Sequence, residues 1–168
     1  AFKQMIKNQN LLRPLASLTI FKLGNHSNQE VDRLRLNVRY NSRYCLRLIQ
    51  YYGDAQDFAD LVNVQYGKVI CISISTAGGI GEEQDKEIYN GLNDIYQILR
   101  VQYEGRNYQP SFQLLPQLAR MTEEQIEEEG AIEEMEAQMN NYGNQYCNIM
   151  TQAKGAKVET LNHFIHNN

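Results

Sequence analysis

The feature that most constrains the fold is a helical spacing of apolar residues, which is clearest from Ile88 to Leu99 in a helix that is predicted to start near residue 82. Apolar side chains recur there at intervals of three and four residues, which places them on one face of an α-helix with 3.6 residues per turn. The residues on this face are Ile88, Leu92, Ile95 and Leu99. The pattern predicts an amphipathic helix that ends near Gly105, because glycine is common just past helix ends.

A second helix is predicted from Gln29 to Tyr52. Its apolar stripe alternates spacings of three and four residues, and Asn41 takes one of the apolar places. The stripe consists of Val31, Leu34, Val38, Cys45, Leu48 and Tyr52. Gly53 is expected to end this helix in a left-handed conformation.

Asp54 is placed to cap the next helix, because an Asp side chain can accept hydrogen bonds from the free N–H groups of a first turn. This helix is expected to span residues 55–66. Its inward residues are expected to be Phe58, Leu61 and Val62.

Residues 68–75 fit either a strand or a helix. The segment is β-branched and alternating, as a buried strand would be, but it also continues a helical stripe that begins at Phe58. The sequence contains no second strand-like run, so a lone strand would leave its backbone groups without hydrogen-bond partners. We therefore predict a helix.

The stretch 105–121 contains Pro110 and Pro116 and is expected to be a linker with at most a short turn of helix. Thr122 and Gln125 match a capping box, in which a hydroxyl and an amide satisfy backbone donors at a helix start. We therefore predict that a helix begins at Thr122.

This segment is expected to form either one long helix or two stacked pieces, because its apolar stripe stays in phase across Gly143. The stripe consists of Ile132, Met135, Met139, Tyr142, Tyr146, Ile149 and Ala153. Gly155 is expected to break the helix, and a final short helix is expected to follow.

Together these patterns predict an all-α fold, either an irregular array of helical hairpins that is α-solenoid-like or a helical bundle. Residues 1–168 are expected to form one domain, either complete or as a piece of a longer chain. No apolar run reaches the length of a membrane-spanning helix. The three cysteines include no Cys-x-x-Cys pair, which is typical of buried thiols in a reducing compartment and favours the cytoplasm.

Charge is unevenly distributed along the chain. Residues 1–84 contain 10 Lys and Arg against 7 Asp and Glu, whereas residues 85–168 contain 6 against 13. This asymmetry predicts that the two halves attract each other or attract different partners.

Five arginines of the predicted second helix form a basic face beside the apolar stripe. They are Arg33, Arg35, Arg39, Arg43 and Arg47. Three interpretations are open: a solvated face, a surface that pairs with an acidic protein, or a nucleic-acid contact. The isoelectric point of about 5.4 argues against a dedicated nucleic-acid binder.

A run of glutamates follows residue 122 and contains no Lys or Arg. The run consists of Glu123, Glu124, Glu127, Glu128, Glu129, Glu133, Glu134 and Glu136. Because like charges four residues apart repel within a helix, we expect this segment to lie near the arginine-bearing helix or near a basic partner. The alternative is a solubilising charged surface.

Two further motifs suggest chemistry only weakly. The turn at residues 78–81 superficially resembles the Gly-Ile-Gly turn of short-chain dehydrogenases, but Ser75 takes the place of their earlier glycine. Glu159, His163 and His166 share a helical face that could hold a divalent metal, and two histidines near a helix C-terminus also suit its dipole. We expect neither a cofactor nor a metal.

The sequence thus predicts a non-enzymatic helical domain for protein–protein interaction or scaffolding, with the arginine face and the glutamate run as contact surfaces. One alternative is a nucleotide-binding enzyme that uses the turn at 78–81. Another is a membrane-surface module that uses the basic amphipathic stretch at 1–22.

Overall fold

The computed structural model of the protein describes residues 9–75, 84–143 and 147–165. Within these ranges it contains eight α-helices, and its β-type pairing is a single antiparallel bridge between Arg106 and Phe112. The helices are α1 (Gln9–Leu18), α2 (Gln29–Tyr52), α3 (Ala55–Asn63), α4 (Tyr66–Ser75), α5 (Asp85–Glu104), α6 (Pro116–Glu128), α7 (Ala131–Gln138) and α8 (Ile149–Ile165). The predicted all-α fold is confirmed.

α2 and α3 begin where side chains cap them. The Val31 N–H donates to Asn28 Oδ1 over 3.0 Å at the start of α2. At α3, Asp54 and Asp57 form a reciprocal capping box, as predicted for Asp54. Gly53 does follow the last residue of α2, but its φ of −75° is extended rather than left-handed. The predicted form of that cap is therefore wrong.

α4 is the most central helix. Tyr66, Val69, Ile70 and Ile74 are all buried in it, so it is covered on nearly every side, as expected for a helix that is apolar all round. This burial explains why residues 68–75 also had the pattern of a buried strand. The predicted helix is confirmed, and its 10 residues are far too few to cross a bilayer. No helix in the described part of the chain has the length and apolar content needed to span a membrane.

α5 packs closely against α4 and completes the centre of the core. The four residues predicted on its apolar face are all buried. Gly91 permits the close approach, since a Cβ atom there would lie 2.6 Å from Ser73 Oγ and 2.9 Å from Ile74 Cγ2. α5 therefore contacts α4 on one side, and among the described helices its most extensive contact is with α8.

The second half of the chain differs from the prediction in its helix ends. α6 begins at Pro116 rather than Thr122, because proline suits the first turn of a helix, where no N–H partner is required. The Thr122 hydroxyl donates to the Leu118 carbonyl, as it does inside a helix, and not to a first-turn N–H. The predicted capping box is therefore wrong.

The segment predicted as one long helix or two stacked pieces is divided among three helices: the second half of α6, α7 and α8. Gly130 (φ 66°) separates α6 from α7, and Gly143 (φ 63°) lies in the turn before α8. Both residues adopt the left-handed conformation that glycine tolerates best. Gly155 lies inside α8 with nothing near its Cβ position, so the predicted break there is also wrong.

We expect Gly91→Ala to lower the free energy of unfolding by about 1–2 kcal/mol, because overpacking of the α4–α5 contact outweighs the better helix propensity of alanine. Gly155→Ala is the matched control. It adds a methyl group in open space within a helix and is expected to raise the same quantity by about 0.5–1 kcal/mol. Urea unfolding followed by circular dichroism measures both. Equal effects of the two substitutions would contradict the close approach at Gly91.

Candidate functional site

α2 turns a mostly polar face toward the interior. Its buried residues are Arg39, Ser42, Arg43, Leu46, Arg47, Ile49 and Gln50. Of the predicted apolar stripe, Leu34 is 55% exposed, Tyr52 is 59% exposed and Cys45 is exposed as well. The predicted inward face of this helix is therefore wrong, because its arginines find acidic partners inside the fold.

Those partners form what we call the buried charge cluster: Arg43 and Arg47 of α2 with Glu87 and Asp94 of α5. Arg43 Nε lies 3.1 Å from Glu87 Oε2, and Arg47 Nε lies 2.7 Å from Asp94 Oδ2. Arg47 also reaches Glu87 Oε2 over 3.6 Å. All four side chains are at least nine-tenths buried, so two cations and two anions are held together away from solvent.

Asp94 is the least satisfied member of this cluster. Among the described residues, its Oδ1 atom has no hydrogen-bond partner, although Oδ2 accepts from Arg47. Gln50 Nε2 donates to the backbone carbonyl of Asp94 over 3.1 Å, which further fixes α2 on α5. Burial raises the pKa of Asp94 to about 7, because the loss of hydration outweighs the attraction of Arg47.

The other three predicted arginines, Arg33, Arg35 and Arg39, also lie on α2 but outside the buried charge cluster. Arg33 is exposed, and Arg35 NH1 donates to the Asn25 carbonyl over 2.9 Å. Arg39 is buried, and its NH1 donates to the Phe21 carbonyl over 3.3 Å. Arg33 therefore lies on a solvated face, as one of the three interpretations predicted. The more C-terminal arginines of α2 are buried and bond groups inside the fold.

The predicted glutamates lie on α6, on α7 and in the turn between them. Glu123 is buried and accepts a hydrogen bond from the Tyr103 hydroxyl over 2.6 Å. Glu128 pairs with Lys68 of α4 over 2.9 Å. Glu124, Glu127, Glu129, Glu133 and Glu136 are exposed, and Glu134 is half-buried. Arg43 and Arg47 instead form ion pairs with Glu87 and Asp94 of α5.

A second feature is the connection between α5 and α6, residues 105–115, which is organised by Arg106. The N–H groups of Arg106 and Phe112 each donate to the other residue's carbonyl, over 2.9 and 3.0 Å. The buried guanidinium of Arg106 donates to the carbonyls of Pro110, Tyr51 and Gly53. One side chain thus fixes the connection to the C-terminal end of α2, where helix carbonyls lack partners of their own.

Aromatic rings surround the same guanidinium. Its central carbon lies 4.5 Å from the ring centroid of Phe112, 5.3 Å from that of Tyr108 and 5.8 Å from that of Phe58. These are cation–π distances. Tyr108 is nevertheless 57% exposed, so most of its ring faces solvent.

A groove of about 840 Å³ runs between α5 and this connection. Its lining includes Gln97, Arg100 and Glu104 on the α5 side and Tyr108, Ser111 and Gln113 on the other. Arg100 Nε donates to Glu104 Oε2 over 3.1 Å, and Arg106, which also lines the groove, directs its guanidinium to backbone carbonyls. The lining therefore offers amides, a hydroxyl and an exposed ring, which are groups suited to binding an uncharged ligand.

The sequence did not predict this groove. Residues 105–121 were interpreted as a linker, and neither Arg106 nor Tyr108 stood out. One sequence pattern could have indicated this site: Arg106 is followed within six residues by Tyr108, Pro110 and Phe112. An arginine among aromatic residues often packs against their rings.

Some predicted sites lie outside what the structure describes. This group includes the turn at residues 78–81 and the first eight residues of the amphipathic stretch. It also includes His166 and the side chain of His163 from the predicted metal site. Comparison with protein-family models and with curated proteins found no match to the chain. The geometry of the described residues is therefore the basis of the function proposed below.

We expect the contribution of Asp94 to the free energy of unfolding to fall as the pH rises from about 4 to about 7. The folded chain keeps the Asp94 proton up to a pKa of about 7, whereas the unfolded chain releases it near the ordinary value of 3.8. The stabilisation is therefore complete below the unfolded pKa and is lost as the pH passes the folded one. Urea unfolding at stepped pH measures this slope. Asp94→Asn should flatten it, and equal slopes in both proteins would contradict the assignment.

We expect Arg47→Met to lower the free energy of unfolding at pH 8 by about 3 kcal/mol or more, because it leaves a buried carboxylate without its main partner. Arg33→Met is the matched control on the same helix and should change stability by no more than about 0.5 kcal/mol. The loss should persist at about 1 M NaCl, since salt screens buried pairs weakly. The double variant Arg47→Met, Asp94→Leu should recover part of it. A double variant as unstable as Arg47→Met would contradict the pairing.

Proposed function

We propose that the chain is a non-enzymatic domain for protein–protein interaction, and that it binds its partner through the groove between α5 and residues 105–115. The observation that carries this proposal is the groove itself, with a volume of about 840 Å³ and the exposed ring of Tyr108 on its rim. A cavity of this volume is in the range of ligand-binding clefts.

The composition of the groove supports a protein or peptide as its ligand. Tyrosine and arginine are enriched at protein interfaces, where a ring packs while its polar group stays hydrated. Tyrosines combined with side-chain amides and serine also form the contact surfaces of antibodies. Tyr108, Gln97, Gln113 and Ser111 provide this combination on two facing walls.

The rigidity of the groove supports the same function. Arg106 holds the wall of the groove through three carbonyls and three rings. A wall that is already ordered loses less conformational freedom on binding, which leaves more of the interaction energy for affinity.

The exposed glutamates of α6 and α7 remain a second proposed contact surface, suited to a basic partner or to scaffolding in a larger assembly. Of the three cysteines, Cys71 and Cys147 are buried free thiols and Cys45 is an exposed one. Free thiols are usual in reducing compartments, which supports the cytoplasm as the proposed location.

Affinity capture tests the proposed function, with the intact chain and the variant Tyr108→Ala as bait. We expect the substitution to deplete at least one captured protein about tenfold or more, because tyrosines that a partner buries on binding are frequent hot spots of interfaces. Tyr142→Ala is the matched control, since Tyr142 is 78% exposed and lies outside the groove in the turn before α8.

Mass spectrometry identifies the captured proteins, and binding of the purified candidate to all three baits confirms the effect. Circular dichroism verifies that each bait is folded. A set of captured proteins that is the same for Tyr108→Ala and for the intact chain would contradict binding through the groove.

A further inference from the structure

We infer that the groove binds an extended segment of a partner polypeptide, which pairs as a strand with the backbone of residues 111–113. This inference rests on the proposed function and specifies the kind of partner. It begins from the antiparallel bridge, in which Phe112 and Arg106 exchange both of their backbone hydrogen bonds.

The pairing of Phe112 determines where its neighbours point. In an antiparallel pair, a residue that exchanges both bonds with its partner is flanked by residues whose N–H and C=O groups point to the opposite side. The backbone groups of Ser111 and Gln113 therefore point away from Arg106. Both residues line the groove, so the outward edge of this single bridge belongs to its wall.

That edge is unoccupied by the rest of the described chain. Within residues 9–75, 84–143 and 147–165, the backbone N–H groups of Ser111 and Gln113 donate no backbone hydrogen bond. An unpaired strand edge is a template for another extended chain. Strand addition of this kind is a recurrent mode of peptide recognition, in which main-chain bonds give affinity and alternate side chains give specificity.

The opposite wall and the rim define the chemistry of the segment. Arg100 and Glu104 pair with each other, and the Arg106 guanidinium in the same lining bonds backbone carbonyls. Gln97 on the same wall is half-buried and can bond further main-chain or polar groups. The exposed ring of Tyr108 offers a flat surface for an apolar or aromatic side chain. The segment is therefore extended, with one ring or apolar group above Tyr108.

The test uses a pair of variants at one position of the intact chain. Gln113→Pro removes the outward N–H, and proline at 113 favours an extended conformation at Phe112, which suits the bridge. Gln113→Ala removes the side-chain amide but keeps the N–H. The probe is a phage-displayed library of random linear peptides, selected on the intact chain, and enriched peptides are then measured by fluorescence anisotropy.

We expect the enriched peptides to lose about tenfold in affinity for Gln113→Pro and clearly less for Gln113→Ala. Only the proline variant loses the backbone hydrogen bond from the N–H of residue 113 to the peptide. N-methylation of the peptide should weaken binding at alternate positions, with the two-residue period of a strand. Unfolding in urea should show that both variants keep the stability of the intact chain.

Three results would overturn the inference. The first is a failure to enrich any peptide. The second is equal binding to Gln113→Pro and Gln113→Ala. The third is tolerance of N-methylation at every position. If affinity capture still depends on Tyr108 under any of these outcomes, the proposed function stands and the partner presents a folded surface instead of a strand.

Discussion

The ion pairs between α2 and α5 determine how α2 sits on the rest of the chain. An apolar stripe tolerates some sliding and rotation, because any nearby apolar surface can replace another. A buried charge does not, since an arginine displaced from its carboxylate loses far more than a displaced leucine. Arg47 bonds Asp94 and Gln50 bonds the carbonyl of the same residue. The cluster therefore specifies one rotation and one register of α2, and with them the position of the α2 C-terminus that Arg106 binds.

The sequence predicted the fold class, the boundaries of α2, the end of α5 and the helical state of residues 68–75, because these depend on local spacing and on caps. It predicted the wrong inward face for α2 for a physical reason. Spacing analysis treats arginine as a surface residue, whereas Arg43 and Arg47 are buried against acids on another helix. Whether an arginine has such a partner is a property of the fold and not of its neighbours in the sequence.

The groove was beyond sequence analysis for a related reason. Arg106 joins carbonyls at Tyr51 and Gly53, more than fifty residues earlier in the chain, so no local pattern marks it. The errors at Thr122 and Gly155 are of another kind. A capping box and a glycine are preferences of less than a few kcal/mol, and a proline start at Pro116 and the packing of α8 are sufficient to override them.

The buried charge cluster also limits how this sequence can change over time. Charge reversal at one of its positions leaves two like charges facing each other in a space without water. Reversal at both members of a pair restores the attraction. Substitutions at Arg43 and Glu87, or at Arg47 and Asp94, are therefore tolerated mainly in pairs, although the members of each pair lie 44 and 47 residues apart. Aligned sequences that share this fold should show correlated substitution at these four positions, which would identify them even where overall identity has been lost.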